Sequence, residues 1–104
     1  MPDSVKRGDA KTLTWNLGRD LTGVSDARVI ISLSPGSTPA VDRNGVIDAP
    51  PTAGTVSLTL APSDYAANKL VAGRKYLVEI ETLPGPLTHP ENGYETLEVT
   101  ADLG

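Results

Sequence analysis

The sequence predicts an all-β fold in two packed layers, and three observations predict it. Short stretches alternate apolar and polar residues with period two, most clearly Leu13-Thr14-Trp15-Asn16-Leu17, Val29-Ile30-Ile31-Ser32-Leu33, Val56-Ser57-Leu58-Thr59-Leu60 and Tyr76-Leu77-Val78-Glu79-Ile80. That period sends one face of each stretch into a core and the other into water, as in antiparallel strands covered on one side. The segments between them hold residues that start turns or tolerate positive φ, among them Gly8-Asp9, Pro35-Gly36-Ser37, Asn44-Gly45, Ala53-Gly54 and Asn92-Gly93. The length, 104 residues, is that of one domain with one core, spanning 1–104.

In chain order, strand A is expected at Ser4 to Arg7, B at Lys11 to Leu17 and C at Ala27 to Ser34. A short D falls near Val46 to Asp48, E at Thr55 to Leu60, F at Lys75 to Thr82 and G at Glu95 to Ala101. Between E and F the alternation breaks. Ser63 to Lys69 follows Pro62, contains two alanines and ends shortly before Gly73, which reads as one or two turns of helix capped by Ser63 or Asp64. Seven short strands with regular turns give an Ig-like antiparallel β-sandwich with one helical turn between E and F.

The core must be built without Phe, so its aromatic volume comes from one Trp and three Tyr. Trp15, flanked on its own face by Leu13 and Leu17, is the one hydrophobe large enough to span two sheets about 10 Å apart. Tyr76, shortly after Gly73, corresponds by analogy to the tyrosine that marks the corner before strand F in Ig-like domains.

Nine Lys plus Arg against thirteen Asp plus Glu give a net charge of −4, and neither sign is gathered into a block. The basic footprint of a nucleic-acid binder is therefore missing. The apolar runs are only a few residues long, so no membrane partner is expected, and Met1-Pro2-Asp3-Ser4 lacks the hydrophobic run of a signal peptide. The absence of cysteine leaves core packing to hold the fold and suits a reducing compartment.

Four apparent motifs have a simpler reading. Arg7-Gly8-Asp9 spells a tripeptide read by cell-surface receptors, yet it lies between two strands as an ordinary turn. Asp42 to Asp48 mimics the middle of an EF-hand loop, but Ala40 and Pro51 stand where its first and last ligands belong, so an Asn-Gly turn is preferred. His89 is the single imidazole, sits in a proline-rich loop and is expected to be solvated, without a nucleophile to serve. Glu79 and Glu81 share one strand face, with no cleft between them for glycosidic chemistry. No catalytic residue, cofactor or metal ligand is assigned, and the chain is not expected to be an enzyme.

Two loops are longer than strand pairing requires. Ser34 to Pro51 holds Pro35, Pro39, Pro50 and Pro51, and Leu83 to Tyr94 holds Pro84, Pro86, His89 and Pro90. Proline stiffens such segments, so they read either as projecting contact surfaces or as covers for sheet edges.

Val5-Lys6-Arg7-Gly8-Asp9-Ala10-Lys11-Thr12-Leu13, then Asp20-Leu21-Thr22-Gly23, then Ala27-Arg28-Val29-Ile30-Ile31-Ser32, with Gly73-Arg74-Lys75-Tyr76 later, resembles the small β-sandwich structural proteins of bacteriophages. The resemblance is to the N-terminal domain of baseplate upper proteins and the L-shaped tail fibre collar family, and it runs from about Val5 to Ile80. The two proline-rich loops are not part of that pattern. What the resemblance implies is a non-enzymatic virion component, present in many copies in a tail, baseplate, collar or capsid decoration and assembled in the host cytoplasm. Its partners would be other virion proteins and copies of itself. On that expectation the contact residues are Pro2, Asp3, Ser4, Val5 and Lys6 of the N-terminal arm together with Pro35, Pro39, Pro84, Pro86, His89 and Pro90. Two other classes stay open. A carbohydrate- or receptor-binding Ig-like module requires exposed aromatics on one face, for which Tyr65 and Tyr94 are the free candidates. A small monomeric inhibitor of a host protein requires one projecting loop, Pro84 to Gly93.

Overall fold

The computed structural model of the chain describes residues 4–84, 87–90 and 93–101. Its strands are β1 (Ser4–Lys6), β2 (Thr12–Asn16), β3 (Asp26–Ser32), β4 (Val41–Asn44), β5 (Val46–Ile47), β6 (Thr55–Thr59), β7 (Arg74–Leu83), β8 (Leu87–His89) and β9 (Glu95–Thr100). The large sheet has the order β1-β9-β7-β3-β4, with β8 also paired to β7, and the small sheet has the order β2-β6-β5. The fold is the all-β sandwich that the alternation predicts. Expected strands B, E and D form one layer, and A, G, F and C the other.

Alternation translates directly into burial. In β2 the pattern puts Leu13 and Trp15 inside and Thr12, Thr14 and Asn16 outside, and in β7 Tyr76, Val78, Ile80 and Thr82 point inward. The two inner faces share one core, to which β3 adds Ala27, Val29 and Ile31, β6 adds Val56 and Leu58, and β9 adds Leu97 and Val99. Trp15 is fully buried at the centre of this cluster, where burying so large a ring dominates the local energetics. Its indole Nε1 has no hydrogen-bond partner among the described residues.

The inward hydroxyl of Thr82, also buried, is satisfied at the layer's end. It accepts from Arg19 Nη2 at 2.7 Å and donates to the Leu87 carbonyl at 3.3 Å. Tyr76 performs its predicted corner role, its buried hydroxyl accepting the Val71 N–H at 2.8 Å.

Several expectations need correction. The sandwich is not antiparallel throughout, because β1 runs parallel to β9, with Val5 opposite Val99. The segment Ser34 to Pro51 holds, besides the expected strand D, which is β5 paired with β6, a strand that was not expected, β4, which pairs with β3. Asn44-Gly45 is not a hairpin turn there but the point where the chain leaves one sheet for the other. Gly45 donates its N–H to the Ala27 carbonyl at 2.8 Å, and a Cβ on it would stand 2.7 Å from the Ser57 carbonyl oxygen.

The second loop likewise contains β8. Ile80 faces His89 and Val78 faces Glu95, so the last strand loses register between those two residues and resumes along β7. The helical segment is a 3-10 helix, Pro62–Asn68, whose capping position is Ala61 and not Ser63 or Asp64. Pro62 accounts for the shift, since a proline takes the first helical position at no cost in hydrogen bonding. Asp64 then turns its carboxylate back onto the Ala61 N–H at 2.8 Å.

Candidate partner interface

Four large hydrophobic side chains are exposed among the described residues, Val46 of β5, Leu87 of β8, Leu33 and Tyr94, and the last two flank an apolar groove on the outer face of the large sheet. Half-buried Ile30 of β3 and Leu77 of β7 lie side by side there, because Ile30 opposes Glu79 and Ser32 opposes Leu77 in the antiparallel register. The loop after β3 rises over them with Pro35 and Pro39, and its turn is held by Ser37, whose hydroxyl donates to the Ser34 carbonyl at 2.7 Å. Tyr94 approaches from the other side, just before β9 resumes its pairing with β7. Together these residues line a shallow groove of about 240 Å³ whose polar contribution is Ser32, Ser34, Ser37 and Glu79. Leu33, 43% exposed, continues the apolar surface towards the end of the sandwich, where Pro39, Val71 and Tyr76 border a wider depression with Lys69 and Arg74 at its rim.

The rest of that outer face is mixed, with Asp26, Arg28, Asp42, Glu81 and Glu98 among Thr96, Thr100 and half-buried Leu83. Arg28 grips Asp42 of β4 through two hydrogen bonds of 2.5 Å. This bond holds the Asp42 carboxyl below the usual carboxylate range and the guanidinium above its ordinary value. Asp42 stands opposite Ile30 in the β3–β4 register, so this ion pair borders the groove along β3 as polar surround to an apolar patch.

The predicted contact residues do not form one surface. Pro35 and Pro39 meet at the groove, and the second loop joins them through Tyr94 and not through its prolines. Pro84 is exposed beyond the opposite end of β7. His89 is not solvated. It belongs to β8, its imidazole is 15% exposed, and Nε2 lies 2.8 Å from Oε2 of Glu95 across the break between β8 and β9. With half-buried Pro90 following it, this residue fastens the segment and does not project from it. In the arm, Ser4 and Lys6 are exposed, but Val5 is buried in the core and has no surface to offer a partner. Pro2, Asp3 and Pro86 lie outside the described residues.

Tyr65 is also lost as a surface aromatic. It is buried, with its hydroxyl donating to the Asp9 carbonyl at 2.9 Å, and this bond clamps the Arg7-Gly8-Asp9 turn against the crossover helix. Burial raises its phenol above the ordinary value. Of the four aromatic side chains, Tyr94 alone remains exposed.

The acidic segment that mimics a calcium loop is divided between sheets. Asp42 serves Arg28, whereas Asp48 accepts the Ser57 hydroxyl at 2.6 Å. Among the described residues no group of three or more His, Asp or Glu side chains is placed to hold a metal ion, and no helix is long and apolar enough to cross a membrane. Ile30 and Leu77 were missed because alternation identifies a strand's outward face without showing which part a loop will half cover, and Leu33 because it shares the inward parity of Val29 and Ile31 but lies beyond the end of β3 at Ser32. No protein-family model matches this chain, and no curated protein is significantly similar to it.

Proposed function

We propose that the chain is a non-enzymatic assembly module, a multi-copy structural component of a bacteriophage virion that docks on neighbouring virion proteins through the apolar end of its large sheet. The observation that carries this reading is the convergence of Pro35 and Pro39 with Tyr94 over Ile30 and Leu77. Prolines and an aromatic ring offer contact area that costs little conformational entropy on binding. The phage resemblance of Val5 to Leu13, Asp20 to Gly23 and Gly73 to Tyr76 supports the virion setting. Those segments form the first turn, the β2–β3 connection and the tyrosine corner, all of which shape the scaffold that presents the groove.

The burial of Tyr65 counts against the saccharide-binding alternative, since stacking on one face is left with the single ring of Tyr94. Quantitative mass spectrometry of particles purified from cells carrying the encoding genome tests the proposal. Recovery at many copies per particle is expected. A protein found only in the cytoplasmic fraction, with particles complete without it, would remove the reading.

A further inference from the structure

We infer that β2 is a self-pairing edge: two copies of this chain join their small sheets by antiparallel pairing of Thr12–Asn16 about a two-fold axis at Thr14. Strand β2 bonds β6 on one side and no described strand on the other. The register fixes which backbone groups are left over. The Leu60 N–H donates to the Lys11 carbonyl at 2.8 Å, and the Leu17 N–H donates to the Gly54 carbonyl at 2.7 Å. Lys11, Leu13, Trp15 and Leu17 therefore direct their main-chain groups to β6. By the alternation of an antiparallel ladder, Thr12, Thr14 and Asn16 turn theirs to the open side. The side chains of these three residues are exposed on the outer face.

A row of free N–H and C=O groups in extended backbone is satisfied by another extended strand. The chemistry of the other edges singles out β2. Strand β4 carries Asp42 and Arg43, β1 carries Lys6, β8 carries His89, and β5 is two residues long and close to Pro50 and Pro51. Strand β2 has no charge, no proline and no bulge among Thr12–Asn16, so it lacks the devices that keep edges apart.

A second copy suits it because the two-fold axis brings no like charges together. Thr12 falls opposite Asn16 of the other copy and Thr14 opposite Thr14, so each free N–H and C=O finds a partner. Leu13 falls opposite Trp15, and both stay on the core side of the joined sheet. Register and edge chemistry carry this inference whether or not the attachment reading holds. If that reading holds, the edge is where copies meet.

Sedimentation equilibrium on the wild type, Thr14→Lys, Thr14→Glu and an equimolar mixture of the two variants tests it. Expected is a wild-type dimer, with each variant weakened about fivefold or more by like charges placed opposite each other, and a dimer restored in the mixture. A wild type that stays monomeric up to about 1 mM, a Thr14→Lys variant that dimerises as tightly as wild type, or a mixture that stays monomeric would each overturn it.

Discussion

Arg43 on β4 holds the carboxylate of Asp64 through two hydrogen bonds of 2.6 and 2.9 Å, and the same guanidinium donates to the Thr59 carbonyl at 2.9 Å. One side chain thus ties the edge of the large sheet to the end of β6 and to the crossover helix. The bond from Arg43 holds the Asp64 carboxyl below the usual carboxylate range, burial works against it, and the Ala61 N–H adds to the lowering.

A pH dependence follows from that shift. In the unfolded chain Asp64 returns to its ordinary pKa of about 3.9, so the folded state binds the proton more weakly. The pair's contribution is full above that value and is lost as pH falls through the lower, folded one. Asp42 and Asp20 are shifted in the same direction, by Arg28 and by Thr22 respectively. Urea denaturation across an acid series is expected to show stability falling below about pH 4. Asp64→Asn should lower stability by about 1–3 kcal/mol at neutral pH and flatten part of the acid fall. An unchanged acid profile in that variant would contradict the role given to the pair.

Gly45 is required by close approach and not by a left-handed backbone. A Cβ there meets the Ser57 carbonyl at 2.7 Å and the side chains of Val56 and Val29 at 3.1 and 3.2 Å, and a main-chain oxygen in a paired strand has no room to retreat. Gly45→Ala is expected to cost about 1–3 kcal/mol in thermal or urea unfolding. A neutral result would contradict the close approach of Gly45 to the Ser57 carbonyl.

Tyr76→Phe keeps the ring and removes the acceptor for the half-buried Val71 N–H. A loss of about 1–3 kcal/mol is expected. Tyr65→Phe frees the Asp9 carbonyl, which lies in an exposed turn where water can replace the hydroxyl, so its cost should be smaller. Equal costs, measured by urea denaturation, would argue against the corner role of Tyr76.

Tyr94 is 42% exposed, and no described side-chain hydrogen bond involves it. Tyr94→Ala should leave stability within about 0.5 kcal/mol and yet reduce incorporation into particles. Full incorporation of the folded variant would place the docking surface elsewhere.

The fold was legible in the sequence where burial is one-sided. Alternation placed Leu13, Trp15, Val56, Leu58, Tyr76, Val78 and Ile80 on the correct inner faces, and the spacing of Tyr76 from Gly73 marked its corner. Strand β4 was hidden because Asp42, Arg43 and Asn44 form an exposed edge with one apolar anchor, Val41, and therefore show no alternation. Strand β8, three residues long, was hidden by the prolines around it.

The candidate site was legible only in pieces. Pro35 and Pro39 were marked by composition and Tyr94 as a free aromatic, but their meeting over Ile30 and Leu77 depends on the β3–β7 register. The His89–Glu95 pair depends on a break in strand pairing that no local pattern in the sequence marks.

All of these features stand on a core sealed around Trp15, and the fluorescence of that lone indole tests it most directly. Expected in the native protein is blue-shifted emission that acrylamide quenches weakly, changing to strong quenching only when urea unfolds the chain. Native emission and quenching matching the urea-unfolded chain would show Trp15 open to water and contradict the two-layer core.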